Sequence, residues 1–285
     1  MTLPRRRAAI LLSTLAAIIG SLSITLAASD RPLEFDHAAT GDKIVALTFD
    51  GDMTPGMLSE LKSRRVSSWY NQKIIEVLRQ EQVPATLFLT GMWIEAYSAA
   101  TKDLSADPLF ELGNHSYSHG AFHSPCYRLP PIPSDKQGAE VQKTDDLLKT
   151  YATTYKKLFR FPGLCFDAAS VKKVEDQGYT AIGGDVDGAD AFEKNPKWVA
   201  SFVVTRVRPG SIVVLHLQGG PNAPATGNAL PDIIKGLRSE GYNFVKVSDL
   251  LKLPAGEPVK HITVMRETPQ ATGAPVFPLF RLFQR

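Results

Sequence analysis

Short apolar runs alternate with amphipathic stretches through the middle of the chain, and the two kinds have different periods. Asp42–Phe49 (DKIVALTF) is close to a continuous apolar run, the pattern of a buried strand. Trp69–Gln82 instead carries Ile74, Ile75, Val77 and Leu78 at helical spacing. Ala85–Thr90 and Leu109–Asn114 read as a second and a third strand. Ser134–Tyr151 reads as a helix with Ser134 as its N-cap. Lys157–Phe161 is a predicted strand, Ala168–Gln177 a helix ended by Gly178, and Tyr179–Gly184 a strand. Trp198–Val207 is a predicted helix and Ser211–Leu217 (SIVVLHL) a strong strand. Ala229–Glu240 is a helix before Gly241, and Asn243–Val247 is the last strand.

Strands that alternate with helices predict an α/β domain with a parallel sheet, open or closed into a barrel. There is no internal repeat. A Pro-rich loop, Ser124–Pro133, interrupts the alternation once. After Leu253 the pattern dissolves into Pro254, Pro258, Pro269, Pro275 and Pro278, and the chain ends in the apolar stretch Phe277–Phe283. These limits predict one domain over residues 41–253, between a linker at 29–40 and a Pro-rich tail at 254–285.

The first thirty residues follow a different pattern. Arg5, Arg6 and Arg7 precede an apolar stretch from Ala8 to Ala28 and the small residues Ala27, Ala28 and Ser29. That is the layout of a secretory signal peptide over residues 1–28, with cleavage expected near Ala28. The stretch is just long enough to span a bilayer, so membrane attachment is expected only if it stays uncleaved. Either outcome exports the body of the protein to a periplasmic, secreted or cell-surface location. The net charge of +3 is too small to argue for nucleic acid as a partner, and the three arginines account for it. Cys126 and Cys165 are the only cysteines. In an oxidising compartment they are expected to form a disulfide near the site described next.

Ionisable residues collect at one end of the predicted strands. Asp50 and Asp52 follow the first, and His115 and His119 the third. Arg160, Pro162 and Gly163 end the fourth, Asp185, Asp187 and Asp190 follow the fifth, and His216 ends the strand at Ser211–Leu217. In α/β folds chemistry gathers at the carboxyl ends of the strands, so these groups predict one shared active site. His115 and His119 stand four apart. On a helical turn that spacing puts both imidazoles on one face, and neutral imidazole is a common zinc ligand. His123 is close enough in sequence to be a third ligand candidate. Trp93, Tyr117, Phe166 and Phe192 are candidate sugar-stacking aromatics.

The chain resembles the polysaccharide deacetylases of carbohydrate esterase family 4, the NodB-homology domain. The matching segments are TFDGD (Thr48–Asp52), HSYSH (His115–His119), RFPG (Arg160–Gly163), DGAD (Asp187–Asp190) and LH (Leu215–His216), in the family's order across residues 41–253. The resemblance implies a distorted (β/α) barrel and a divalent metal, zinc first. It implies removal of acetyl groups from N-acetylated sugars of an exported or cell-wall polysaccharide. It assigns Asp52, His115 and His119 to the metal and Asp50 as general base. His216 is the general acid, Arg160 orients Asp50, and Asp190 orients His216. Gly163 marks a backbone N–H for the oxyanion, and Tyr117 is a substrate contact.

Three departures stand out. The family places two acids side by side after its threonine–phenylalanine pair, whereas Gly51 separates Asp50 from Asp52 here. The reach of Asp52 then depends on the turn, with Gly51 free to take dihedrals that other residues avoid. Gly163 and Leu164 stand where the family's arginine motif continues with an aromatic and then glycine, and Ala191–Phe192 replaces a tryptophan. Two other readings remain open on the same residues. One is an O-acetyl esterase; the other is a glycan-binding protein that has lost its metal through the Gly51 change.

Overall fold

The apolar run after Asp42 becomes the central strand, β1 (Ile44–Gly51), in which every residue after Ile44 is buried. In the computed structural model, which describes residues 33–218 and 223–256, seven further strands surround it. They are β2 (Ala85–Leu89), β3 (Phe110–Asn114), β4 (Leu158–Phe159), β5 (Thr180–Ala181), β6 (Val186–Asp187), β7 (Ser211–His216) and β8 (Asn243–Phe244). The sheet runs β5-β4-β3-β2-β1-β7-β6, and β8 pairs with the start of β1. Each of these pairings is parallel. The expected α/β architecture is therefore the one observed, a curled and incompletely closed (β/α) barrel. Parallel strands need crossovers, and helices Gln72–Gln80, Gln137–Tyr151, Pro196–Val204 and Thr226–Ser239 supply them. Each buries one stripe, such as Ile74, Ile75 and Leu78 on the first.

β1 runs two residues further than its apolar pattern, because its ladder with β2 and β7 continues through Asp50. The later strands are shorter than expected. Tyr179–Gly184 contributes only β5, and β6 forms separately beyond Gly184. Ser134 is not a cap. The helix begins at Gln137, and the Ser134 hydroxyl accepts from Lys173 Nζ instead. Helices Pro55–Lys62, Gly91–Ala96 and Ser98–Ala106 are not predicted by the pattern, and Val247, expected to end the last strand, instead begins the helix Val247–Leu250. The first two carry ordinary start signals, with Thr54 and Thr90 hydroxyls accepting from the backbone of Met57 and Trp93.

Of the residues read as a linker, Phe35–Ala39 are part of the barrel seam. Phe35 pairs with Ile182, and His37 pairs antiparallel with Ser211. The Ala38 amide donates to the Gly210 carbonyl at 2.9 Å. Gly210 has φ +82°, and a Cβ there would stand 2.1 Å from Ala38 O, so this approach requires glycine. From the other flank, Ala255 bridges Ala38, and the Gly256 amide donates to His37 O at 3.0 Å. These contacts span most of the chain, which is why local patterning misses them. Among the described residues no helix is long and apolar enough to cross a membrane. The expected signal segment and tail residues 257–285 lie outside the described residues.

Candidate active site

Strand geometry decides what Gly51 does. Side chains alternate along a strand, so residues 50 and 52 share a face and residue 51 points the other way. Asp50 Oδ2 lies 3.7 Å from His115 Nε2, and Asp52 Oδ1 lies 3.3 Å from the same atom. Both acids therefore face the barrel mouth. Gly51 keeps strand geometry with no positive φ, and a Cβ on it would stand 2.8 Å from Leu89 Cδ2 and 3.6 Å from Trp93 Cδ1. No unusual turn is needed. The Gly51→Asp substitution, which recreates adjacent acids, is expected to aim a carboxylate into that apolar contact. It should destabilise the protein by about 3 kcal/mol. Thermal unfolding measures this, and an unchanged melting temperature would contradict the placement.

The histidines sit on a loop, not on a helical turn. Ser116 and His119 both have positive φ, at 65° and 56°. Asn114 Oδ1 accepts from the Ser116 amide at 2.9 Å. Glu140 accepts from the amides of Tyr117 and Ser118 at 3.0 and 2.8 Å. These anchors, rather than helix periodicity, bring the two rings together, with centroids 4.9 Å apart. His115 Nδ1 lies 2.8 Å from the Arg160 carbonyl oxygen. A carbonyl only accepts, so Nδ1 carries the proton, and in the neutral ring Nε2 presents a bare lone pair.

Three lone-pair atoms then converge. His115 Nε2 and His119 Nε2 stand 3.3 and 3.2 Å from Asp52 Oδ1. Asp52 Oδ1 is buried and has no properly directed hydrogen bond. Burial alone would push Asp52 up, but His119, His115 and His216 reverse this and hold its carboxyl well below the usual range. Asp52, His115 and His119 form a group whose ligand atoms lie within 4.8 Å of one another. An orphaned carboxylate oxygen facing two imidazole nitrogens fits a divalent cation, and the mixed N/O donor set suits zinc-type ions.

Two charge pairs flank this group. Arg160 is fully buried, and its Nη1 donates to Asp50 Oδ1 at 2.8 Å and to Thr48 Oγ1 at 2.6 Å. Its Nη2 donates to Gly183 O at 2.8 Å, and its guanidinium covers the Phe88 ring at 4.2 Å. Opposite, His216 Nδ1 donates to Asp190 Oδ1 at 2.7 Å. Asp190 Oδ2 accepts from the His216 amide at 2.8 Å and from Thr226 Oγ1 at 2.5 Å. His216 Nε2 is left facing Asp52 Oδ2 at 3.9 Å. Burial alone would lower the His216 pKa, but Asp190, aided by Asp52 and Asp50, pushes it up to about 10.

Other expected residues fall outside this cluster. His123 is half exposed and pairs with Asp167 at 3.3 Å. Asp185 accepts from Ser211 Oγ and the Ile212 amide, a structural role. Trp93 is core and Phe166 packs on Phe161, so neither is an open sugar platform. The Tyr117 hydroxyl donates to Glu95 at 2.9 Å, and Lys143 Nζ covers its ring at 3.3 Å. Gly163 has φ +62° and lies against the Cys126–Cys165 disulfide, which forms as expected. Thr226 and Glu140 escaped the sequence reading because each supports the site from a segment with no recognisable motif, and Asn114 because its role is to hold the Ser116 amide rather than to act in the cluster.

The model of the family described as polysaccharide deacetylase matches residues 37–182. The chain belongs to the polysaccharide deacetylase family. It is 27% identical over 217 residues to a peptidoglycan-N-acetylglucosamine deacetylase of Bacillus cereus, covering 74% of this chain and 89% of that protein. A family 4 acetyl xylan esterase from Clostridium thermocellum, solved with a cobalt ion, is similar at a TM-score of 0.59 and 27% identity. That match covers 74% of this chain and 91% of the esterase. A pseudoenzyme of the same family from Bacillus anthracis matches at a TM-score of 0.62 and 26% identity, covering 78% and 69% of the two chains. The polysaccharide deacetylase fold thus carries both active and inactive relatives of this chain.

Proposed function

We propose that this protein is an exported, metal-dependent deacetylase acting on N-acetylated sugars of a cell-wall polysaccharide. The observation that carries the reading is the convergence of Asp52, His115 and His119 between two separately buttressed groups, Asp50 and His216. An intact donor set supports a working enzyme over a metal-free glycan-binding protein. The similarity to a peptidoglycan deacetylase supports the substrate class.

A divalent ion held by Asp52, His115 and His119, zinc first, would polarise the acetyl carbonyl and acidify a water beside it. Asp50 is assigned as the base that takes the water proton. Its Oδ1 is occupied by Arg160, which leaves Oδ2 facing the centre. The water oxygen bonds to the acetyl carbon, and the backbone N–H at Gly163 is assigned to the developing oxyanion. The carbon–nitrogen bond then breaks. An amine leaves poorly as an anion, so a proton must reach its nitrogen. His216, kept protonated by Asp190, is aimed to deliver it from Nε2. The products are acetate and a free amino sugar.

The reading is tested by acetate release from N-acetylglucosamine oligomers and from O-acetylated xylan, with and without chelator. Release from the oligomers that stops with chelator and returns with added zinc is the expected result. Release from xylan alone would assign an O-acetyl esterase. Glycan binding without any release would assign a binding protein.

A further inference from the structure

Two large aromatic side chains stand in the open beside the site. Tyr127 is 55% exposed and Phe192 60% exposed. Their ring centroids lie 5.6 Å apart, with planes 31° from parallel. Two neighbouring rings left in water form an apolar patch that marks a contact surface.

They reach this position from different parts of the chain. Tyr127 follows Cys126, which the disulfide joins to Cys165 just beyond Gly163. A Cβ on Gly163 would stand 3.1 Å from Tyr127 Cδ2, so the Tyr127 ring lies directly against the Gly163 turn. Tyr127 also has φ +49°, a conformation uncommon for an aromatic residue. Phe192 lies two residues beyond Asp190, and its amide donates to Ala189 O at 3.0 Å. Asp187 lies at the start of the same turn and accepts from the Ala189 amide at 2.8 Å. The aromatic pair is thus continuous with the turns that carry Gly163 and Asp190.

We propose that Tyr127 and Phe192 form a platform for a pyranose ring adjoining the sugar that is deacetylated. The proposal rests on the deacetylase reading above. A pyranose has an apolar face of C–H bonds and a rim of hydroxyls. A pair of exposed aromatic rings meets the apolar face. On this proposal the platform is covered by the neighbouring ring of an oligomer rather than by the reacting sugar. The protein should therefore prefer oligomers to monomers.

Binding is measured by calorimetry in an Asp50→Asn background, where turnover does not interfere, using N-acetylglucosamine and its tetramer with zinc present. The ratio of tetramer to monomer affinity is expected to fall about 10-fold on adding Tyr127→Ala, and by about the same on adding Phe192→Ala. Adding Tyr127→Phe should preserve the ratio, because the ring remains. An unchanged ratio in both alanine variants overturns the platform, as does a tetramer bound no more tightly than the monomer. The two readings fail separately. Acetate release by the unaltered protein with an unaffected ratio removes the platform alone. The expected ratio change without any release removes the hydrolase reading and leaves the platform.

Discussion

Replacing His115 with alanine is expected to empty the metal site and lower acetate release by about 10³-fold, the scale of several kcal/mol of transition-state stabilisation. Among the described residues the donor set has three protein groups, so losing one leaves an aspartate and a single imidazole. His115 is also the ring whose orientation is fixed most firmly, through its Nδ1 contact with the Arg160 carbonyl at 2.8 Å. That second contact matters for reading the result. Alanine also leaves the buried carbonyl without this partner, which costs about 1–3 kcal/mol of stability. His119→Ala removes a ligand without that side effect, since His119 Nδ1 has no hydrogen-bond partner among the described residues. Metal content by mass spectrometry should fall from about one ion per chain to near none in both variants. One ion retained in both would show that the ion sits elsewhere. A melting temperature lowered in His115→Ala but not in His119→Ala would separate the structural cost from the loss of metal.

The broad plan of the molecule was written locally, and its closure was not. β1, β2 and β7 are apolar runs, and a run of that kind announces its own burial. The positions of Asp50, His115, Arg160 and His216 at strand ends follow from that, because parallel strands must present their carboxyl ends on one side. β4, β5, β6 and β8 are two residues each and are held by neighbours rather than by pattern. The clasp of Phe35–Ala38 with Ala255 depends on pairing between distant residues, and nothing in a short polar flank signals it.

The site repeats this division. The histidine spacing of four was legible, but its cause was not. Helical periodicity and a loop with two left-handed residues produce the same separation in sequence. The loop depends on Glu140, which reaches it from helix Gln137–Tyr151. Asp52 illustrates the opposite case. The inserted glycine looks like damage when motifs are aligned by position, yet strand alternation returns the second acid to the first acid's face. The period of two therefore supports the ligand assignment more directly than the motif does. Asp190 was legible as a partner for His216. Thr226, which holds its second oxygen, was not, because it lies thirty-six residues away in the chain.

Asp50→Asn is expected to keep about one metal ion per chain and to lower acetate release by about 10³-fold, within the range for loss of a general base. The amide oxygen can still accept from Arg160 Nη1, so the side chain should hold its place while losing its basicity. The cost to stability comes from Arg160. Its guanidinium is fully buried, and without the Asp50 charge its hydrogen-bond partners among the described residues are the neutral groups of Thr48, Ile182 and Gly183. Removing one member of such a pair costs about 3–5 kcal/mol. Loss of the metal together with activity would move Asp50 into the ligand set. Arg160→Gln provides the second side of a thermodynamic cycle. If Arg160 acts only by holding Asp50, release by the double variant should fall no further than in Asp50→Asn alone. A double variant slower by a further 10-fold or more would mean that Arg160 contributes by a route of its own. The sequence could then be credited with locating Arg160 but not with its role.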